Sequence, residues 1–240
     1  MTVAKKPVFL DRIMRLGSNL DVKRDDFVLY IDNFYEEPDL VYDWLQSQPY
    51  PYWKYISDNT RNGKDYNDCR IAQRMPGLGS ALERQKLSNV LRLCQENFWK
   101  GKYHFDFVHE FNCFQTITNF DTKLQHYPHI DSSLLDDDDC TTLNMIVYMN
   151  KDENGGTAIY DGELIENNEA YNVLYPVEER FKIERTIPAK YNRCVIFPGN
   201  RLHGAYIEDY QLYSQANNTW RYSQVLFIHP STDKLNKNMS

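Results

Sequence analysis

Two side chains raise the question of chemistry first: His129 and Asp131, in the stretch HYPHIDSS at 126–133. In an extended segment, residues two apart project to the same side. An imidazole and a carboxylate at this spacing can therefore meet one metal ion. His126 lies three positions before His129 and would face the other way, and Pro128 interrupts any ladder between them, so His126 reads as a neighbour. Two ligands do not hold a catalytic metal, and a third must come from elsewhere. Among His104, His109, His203 and His229, His203 has the best setting. It follows the strand-like CVIF and the turn PGNR, and it precedes Gly204, which permits close approach of another backbone. Two imidazoles and one carboxylate on one face of an octahedral ion leave positions open, the arrangement of non-haem Fe(II) oxygen chemistry. The bland alternative is a polar turn that happens to hold two histidines, since an HxD triplet recurs by chance.

Composition narrows the rest. The chain has 240 residues and a formal net charge of −7. That balance lacks the electrostatic footprint of a nucleic-acid binder and gives no attraction to anionic membranes. The five cysteines are widely spaced with no CxxC pair, so neither a zinc ribbon nor a disulfide framework is expected. No apolar run has the length of a membrane span, and the N-terminal MTVAKKPVFLDRIMRLGSN has no apolar signal core. The expectation is a soluble, cytoplasmic protein.

The elements that must position these residues fall into two stretches. FVLYIDNFY (27–35) reads as a strand ending at Asn33, and EEPDLVYDWLQSQ (36–48) as a helix with Pro38 in its first turn. Residues 49–79 read as a long irregular segment. SALERQKLSNVLRLCQENFW (80–99) is the clearest helix: Leu87, Val90, Leu91, Cys94 and Phe98 share a face, and Ser80 with Glu83 forms a capping box. Beyond residue 104, HFDFVHEFNCFQTIT (104–118), TLNMIVYMN (142–150), GGTAIYDG (155–162), NRCVIFPG (192–199) and RYSQVLFIH (221–229) carry strand signals. Helices followed by many short strands predict a mainly β fold with flanking α-helices. One domain spanning 1–240 is expected, with a strand and helix region over about 1–103 and a β core over about 104–230.

Three further stretches carry a resemblance to a known family. TLNMIVYMNKDENGGTAIYDG (142–162) resembles the strand–turn–strand that follows the HxD of the Fe(II)- and 2-oxoglutarate-dependent dioxygenases, with Tyr148-Met149-Asn150 and Gly155-Gly156-Thr157 at the matching places. PAKYNRCVIFPGNRLHG (188–204) resembles the segment that delivers the distal histidine. NTWRYSQVLFI (218–228) resembles the closing RxS strand, and VLYIDNFYEEPD resembles the opening of the prolyl-hydroxylase-like branch. The order HxD, GG-T, FP…H, RxS is the family's order. The resemblance implies a double-stranded β-helix, or jelly roll. It implies Fe(II) held by His129, Asp131 and His203, with 2-oxoglutarate and O2 as co-substrates and Arg221 and Ser223 holding the far carboxylate. Arg suits that task because its planar fork matches a carboxylate.

The sequence departs from the family in places. EDYQLYSQANN (208–218) lengthens the gap between His203 and Arg221, and Asn144 stands where the family often has Thr. Gln115, Asn144 and Tyr127 are the candidates for secondary 2-oxoglutarate contacts. The resemblance implies a hydroxylase that releases succinate and CO2, acting on an amino acid, a protein residue or a small metabolite. Demethylation or desaturation at the same centre, or a non-catalytic jelly-roll binding module, are the alternatives. The acidic run Asp136–Asp139 follows the HxD and reads either as a solvated loop or as a rim for a cationic substrate. The tyrosine-rich 50–66 reads as packing or as a lid.

Overall fold

The computed structural model describes residues 15–47, 54–55, 71–76, 81–99, 103–107, 113–118, 128–131, 141–162, 181–209, 212–213 and 219–234. Side chains are described throughout these except in 54–55, 71–76, 81–87, 103–107, 113–118 and 230–234. The strands are β1 (Asp21–Asp25), β2 (Val28–Asp32), β3 (Lys54–Tyr55), β4 (Ile71–Pro76), β5 (Tyr103–Phe107), β6 (Cys113–Thr118), β7 (Leu143–Tyr148), β8 (Gly156–Asp161), β9 (Lys182–Pro188), β10 (Arg193–Pro198), β11 (His203–Tyr206) and β12 (Arg221–Lys234). The helices are α1 (Pro38–Ser47) and α2 (Ala81–Cys94), and α2 runs into a π-helical turn over Gln95–Trp99. The protein is mainly β-sheet. Among the described residues no helix is long and apolar enough to cross a membrane.

The strands form two antiparallel sheets. The larger runs β1-β2-β10-β7-β12-β6-β4-β3, with β5 also paired to β12; the smaller runs β11-β8-β9. β7 lies at the centre of the larger sheet, and five of its six residues are buried. Strand alternation then gives the sheet two different faces. One face carries Leu143, Met145 and Val147 of β7 with Cys194, Ile196, Leu29, Ile31, Tyr222, Leu226 and Ile228. It packs on Val41 and Leu45 of α1 and on Val90, Leu91, Cys94, Phe98 and Trp99. The other face carries Tyr148, Val195, Phe197 and Val28, and it meets Ile159 and Ile187 of the smaller sheet. The layers are therefore helices, large sheet, small sheet.

The helical face predicted for α2 is buried at Val90, Leu91, Cys94 and Phe98, the last of these in the π turn. The single strand region read at 104–118 is two strands. β5 pairs the far end of β12, at Ile228 to Lys234, and β6 pairs its beginning, at Arg221 to Val225. The stretch 49–79, read as irregular, contains β3 and β4, which extend the large sheet. β1 (DVKRD) is exposed along its whole length, and β9 (KIERTIP) along most of it, so neither shows the alternation that marks a strand.

Two glycines at the start of β8 let the strands of the smaller sheet approach closely. Gly155 has φ +80°, and a Cβ there would lie 2.1 Å from the Tyr206 carbonyl oxygen. Gly156 has φ +149°, and its Cβ would lie 1.9 Å from the Ile187 oxygen. Only glycine tolerates both the backbone angle and the approach.

Candidate metal and carboxylate site

His129 sits in an isolated bridge rather than a full strand. It exchanges two backbone hydrogen bonds with His203, at 2.9 Å each way. The Asp131 amide donates to the Gly199 carbonyl at 2.9 Å, and the Gly199 amide donates to the Thr142 carbonyl at 2.6 Å. The 129–131 strip is thus pinned between β11 and the turn that ends β10. The imidazole rings of His129 and His203 lie 4.3 Å apart, and Phe197 packs edge-on against His203 at 5.0 Å.

The ligand atoms of His129, Asp131 and His203 all fall within 4.8 Å of one another. His203 Nε2 is 3.0 Å from Asp131 Oδ2, and His129 Nε2 is 3.8 Å from Asp131 Oδ1. His203 Nδ1 lies 2.8 Å from the Arg201 carbonyl. A carbonyl only accepts, so Nδ1 carries the hydrogen and Nε2 is the atom turned toward Asp131. Burial alone would raise the Asp131 carboxyl. The charge of His129, the hydrogen bond and charge of His203 and the Asn144 donor outweigh burial and hold Asp131 down at about 2. Two imidazole nitrogens and an ionised carboxylate, partly buried, form a donor set that fits a divalent transition metal.

Asn144 stands beside this cluster. Its Nδ2 donates to Asp131 Oδ2 at 2.8 Å and lies 3.0 Å from His203 Nε2. The side chain is 1% exposed, and its Oδ1 is buried without a hydrogen-bond partner among the described residues.

A second polar feature lies on the same face of β7. Tyr148 is four residues past Asn144 and so on the same side, about 13 Å away at ~3.3 Å per residue. Arg221 lies over the Tyr148 ring, 5.8 Å from its centroid, and donates to the Gly156 carbonyl at 2.9 Å. Arg221 is buried, and no carboxylate among the described residues pairs with it. Ser223, also buried, is two residues on and pairs in register with Tyr148. Tyr148 hydrogen-bonds Thr157 at 2.7 Å. Burial pushes its phenol up to about 12, against the pull of that bond and of Arg221, so the ring stays neutral.

The structure therefore gathers His129, Asp131, His203 and Asn144 at one place, with Arg221 and Ser223 farther along the same inter-sheet space. Gln115 of β6 pairs in register with Ser223. Tyr127, His126 and the run Asp136–Asp139 lie outside the described residues, as does most of 50–66. His229, passed over for His203 as the third ligand, has its Nδ1 2.6 Å from the Thr142 hydroxyl. Asn150 escaped the reading of the sequence as a site residue. Its Nδ2 donates to the Trp220 carbonyl at 2.9 Å and its Oδ1 accepts from the Tyr222 amide at 2.5 Å, so it grips the backbone on both sides of Arg221. Its place in the Tyr148-Met149-Asn150 motif was the available signal.

No protein-family model and no curated protein matches the chain. Solved structures do. HygX from Streptomyces hygroscopicus, solved with nickel, 2-oxoglutarate and hygromycin B bound, is 14% identical, with 86% of this chain and 84% of that chain covered and a TM-score of 0.52. This chain shares its fold with HygX. A prolyl 4-hydroxylase from Phytophthora capsici is 12% identical over 86% of this chain and 60% of that one, with a TM-score of 0.45. A Pseudomonas putida prolyl-4-hydroxylase is 13% identical over 81% and 88%, with a TM-score of 0.41.

Proposed function

We propose that the protein is an Fe(II)- and 2-oxoglutarate-dependent oxygenase built on a jelly-roll core, with His129, Asp131 and His203 as the metal ligands. The observation that carries this reading is Arg221. A guanidinium is costly to bury without a partner, and Arg221 is buried with no described carboxylate, on the β7 face from which Asn144 reaches the cluster. A ligand with a metal-chelating end and an anionic far end answers both features. Arg221 would meet that far carboxylate in a two-point contact, with Ser223 adding a hydrogen bond and Gln115, Asn144 and Tyr127 as secondary contacts.

The bound Fe(II) would supply O2 activation coupled to oxidation of 2-oxoglutarate to succinate and CO2. The residues of this chain do the holding. Asn144 and the Arg201 carbonyl orient two ligands, Phe197 shields the His203 ring, and Arg221 fixes the direction of the co-substrate. The reaction we propose is hydroxylation of a C–H bond in an amino acid, a protein residue or a small metabolite. HygX was solved with hygromycin B bound; for this chain the acidic run Asp136–Asp139 in the sequence makes a cationic small molecule the substrate class we favour. The protein would act as a single domain in the cytoplasm, away from membranes and nucleic acid.

Succinate release from 2-oxoglutarate under air, with Fe(II) and a panel of amino acids, peptides and cationic metabolites, tests the reading. Turnover should require Fe(II) and vanish in Asp131→Ala and His203→Ala. Full turnover in either variant would overturn the ligand assignment.

A further inference from the structure

The stretch between His203 and Arg221 departs from the family by its length, and where it is described it folds back onto the turn between β7 and β8. Asp209 and Asn154 exchange two hydrogen bonds, Asp209 N to Asn154 Oδ1 at 3.0 Å and Asn154 Nδ2 to the Asp209 carbonyl at 2.6 Å. Tyr213 is 2% exposed, although its neighbour Leu212 is 41% exposed. Its hydroxyl donates to Asp152 Oδ1 at 2.7 Å, and the same oxygen accepts from the Asn154 amide at 2.9 Å. The other oxygen of Asp152 accepts from Asn150 Nδ2 at 3.2 Å. Asn150 in turn holds the backbone at Trp220 and Tyr222, the two neighbours of Arg221.

The connection runs in one direction, from Tyr213 through Asp152 and Asn150 to the peptide of Arg221. The same turn ends at Gly155 and Gly156, and the Gly156 carbonyl receives the Arg221 guanidinium. Both the backbone and the head group of Arg221 are therefore set by residues 150–156, and Tyr213 anchors that turn from outside the strands. The Tyr213 phenol is raised by burial and by Asp152, against the opposing charge of Arg221, so the phenol itself faces the guanidinium's field.

We propose that Tyr213 is a positioning residue for Arg221, and that Asp209 and Tyr213 together fix the anionic end of the co-substrate pocket. This rests on the reading of Arg221 given under Proposed function. A tyrosine that only packs would lose stability when altered and nothing else. A positioning residue must change the affinity of the far carboxylate and leave the metal alone, because the His129, Asp131 and His203 cluster is held by other bonds.

The test is an anaerobic titration of the Fe(II)-loaded protein with 2-oxoglutarate, followed by the visible absorption of the complex, beside Fe(II) affinity measured by chelator competition. Tyr213→Phe keeps the ring and removes the donor to Asp152. It should weaken 2-oxoglutarate binding about tenfold, the effect of one lost buried hydrogen bond, with Fe(II) affinity at the parental value. Asp152→Ala, which removes the acceptor of Tyr213 and of Asn150, should shift 2-oxoglutarate in the same direction and carries the test if Tyr213→Phe does not fold. Unchanged 2-oxoglutarate binding in both variants overturns the assignment, as does an equal loss of Fe(II) affinity, which would mean general loosening. A parent protein that binds no 2-oxoglutarate overturns the co-substrate reading itself, and this inference with it.

Discussion

Arg221 donates to the carbonyl oxygen of Gly156 at 2.9 Å, so among the described residues this buried cation is steadied by a backbone dipole rather than by a carboxylate. A neutral partner orients the guanidinium without satisfying its charge. On the function proposed above, an anion gains from entering this site.

Arg221→Ala should therefore remove most of the affinity for 2-oxoglutarate. Breaking one member of a buried ion pair costs roughly 3–5 kcal/mol, and each ~1.4 kcal/mol is tenfold. A loss of at least about a hundredfold is expected. Arg221→Lys should fall between, since an ammonium cannot make the planar two-point contact. Fe(II) affinity should stay at the parental value in both. Anaerobic 2-oxoglutarate titration measures the effect, and parental binding by Arg221→Ala would move the anchor elsewhere.

Gly156 supplies that carbonyl from a backbone conformation closed to other residues. Gly156→Ala places a Cβ against the Ile187 oxygen at φ +149° and should destabilise the fold by at least about 2 kcal/mol. It should also weaken 2-oxoglutarate binding, because the carbonyl must shift. Chemical denaturation with and without 2-oxoglutarate separates the two effects. A parental midpoint would show that the β8 start tolerates a side chain.

How far the sequence spoke is clearest from particular residues. That His129, Asp131 and His203 come together was legible because ligand chemistry limits the residue types and period-two spacing limits the geometry. The buried strands β7 and β10 were legible because burial demands apolar, β-branched runs. β1 and β9 were not, because edge strands exposed to water need no such pattern. β4 was hidden in a polar stretch rich in Asn and Gly, and its pairing with β6 and β3 makes it a strand. Tyr213 was invisible for another reason. Its role depends on Asp152, 61 positions away, and nothing local in YQLYSQ distinguishes a buried tyrosine from a loop tyrosine.

The Asp32 carboxylate ties β2 to β10, and its titration gives a prediction with a sign. Arg193 donates to it through Nε at 2.6 Å and Nη2 at 3.0 Å, and Lys190 donates at 2.7 Å. The Arg193 hydrogen bond, opposed by burial and helped by Lys190, holds Asp32 below the ordinary carboxylate range. Because the folded-state value is the lower one, the stabilisation is fully present above about pH 4 and is lost as pH falls through the lowered value. Asp32→Asn should cost about 1–3 kcal/mol at neutral pH, and the gap from the parent should close on acidification below pH 4. Urea midpoints across pH 2–7 measure this, and a gap constant with pH would assign the loss to packing.

Asn144 offers the sharpest separation of metal binding from co-substrate binding. Its Nδ2 donates to Asp131 Oδ2 at 2.8 Å, and its other polar atom, Oδ1, is buried without a partner among the described residues. A Cβ at Gly199 would lie 3.3 Å from that Oδ1, so the amide is confined on that side. The side chain thus holds the carboxylate that must ligate the metal, and groups that orient ligands in this way are worth about 10–100-fold in metal affinity. Asn144→Ala should weaken Fe(II) binding by that factor. Asn144→Asp should do worse at neutral pH, because a second carboxylate beside Asp131 raises one of the two and removes the donor. Affinity in Asn144→Asp should also depend on pH more steeply than in the parent, since metal binding must then expel a further proton. Chelator competition with Fe(II) across pH 6–8 measures both variants. Parental Fe(II) affinity in Asn144→Ala, with 2-oxoglutarate binding alone reduced, would leave Asn144 as a contact of the co-substrate only and overturn its part in holding Asp131.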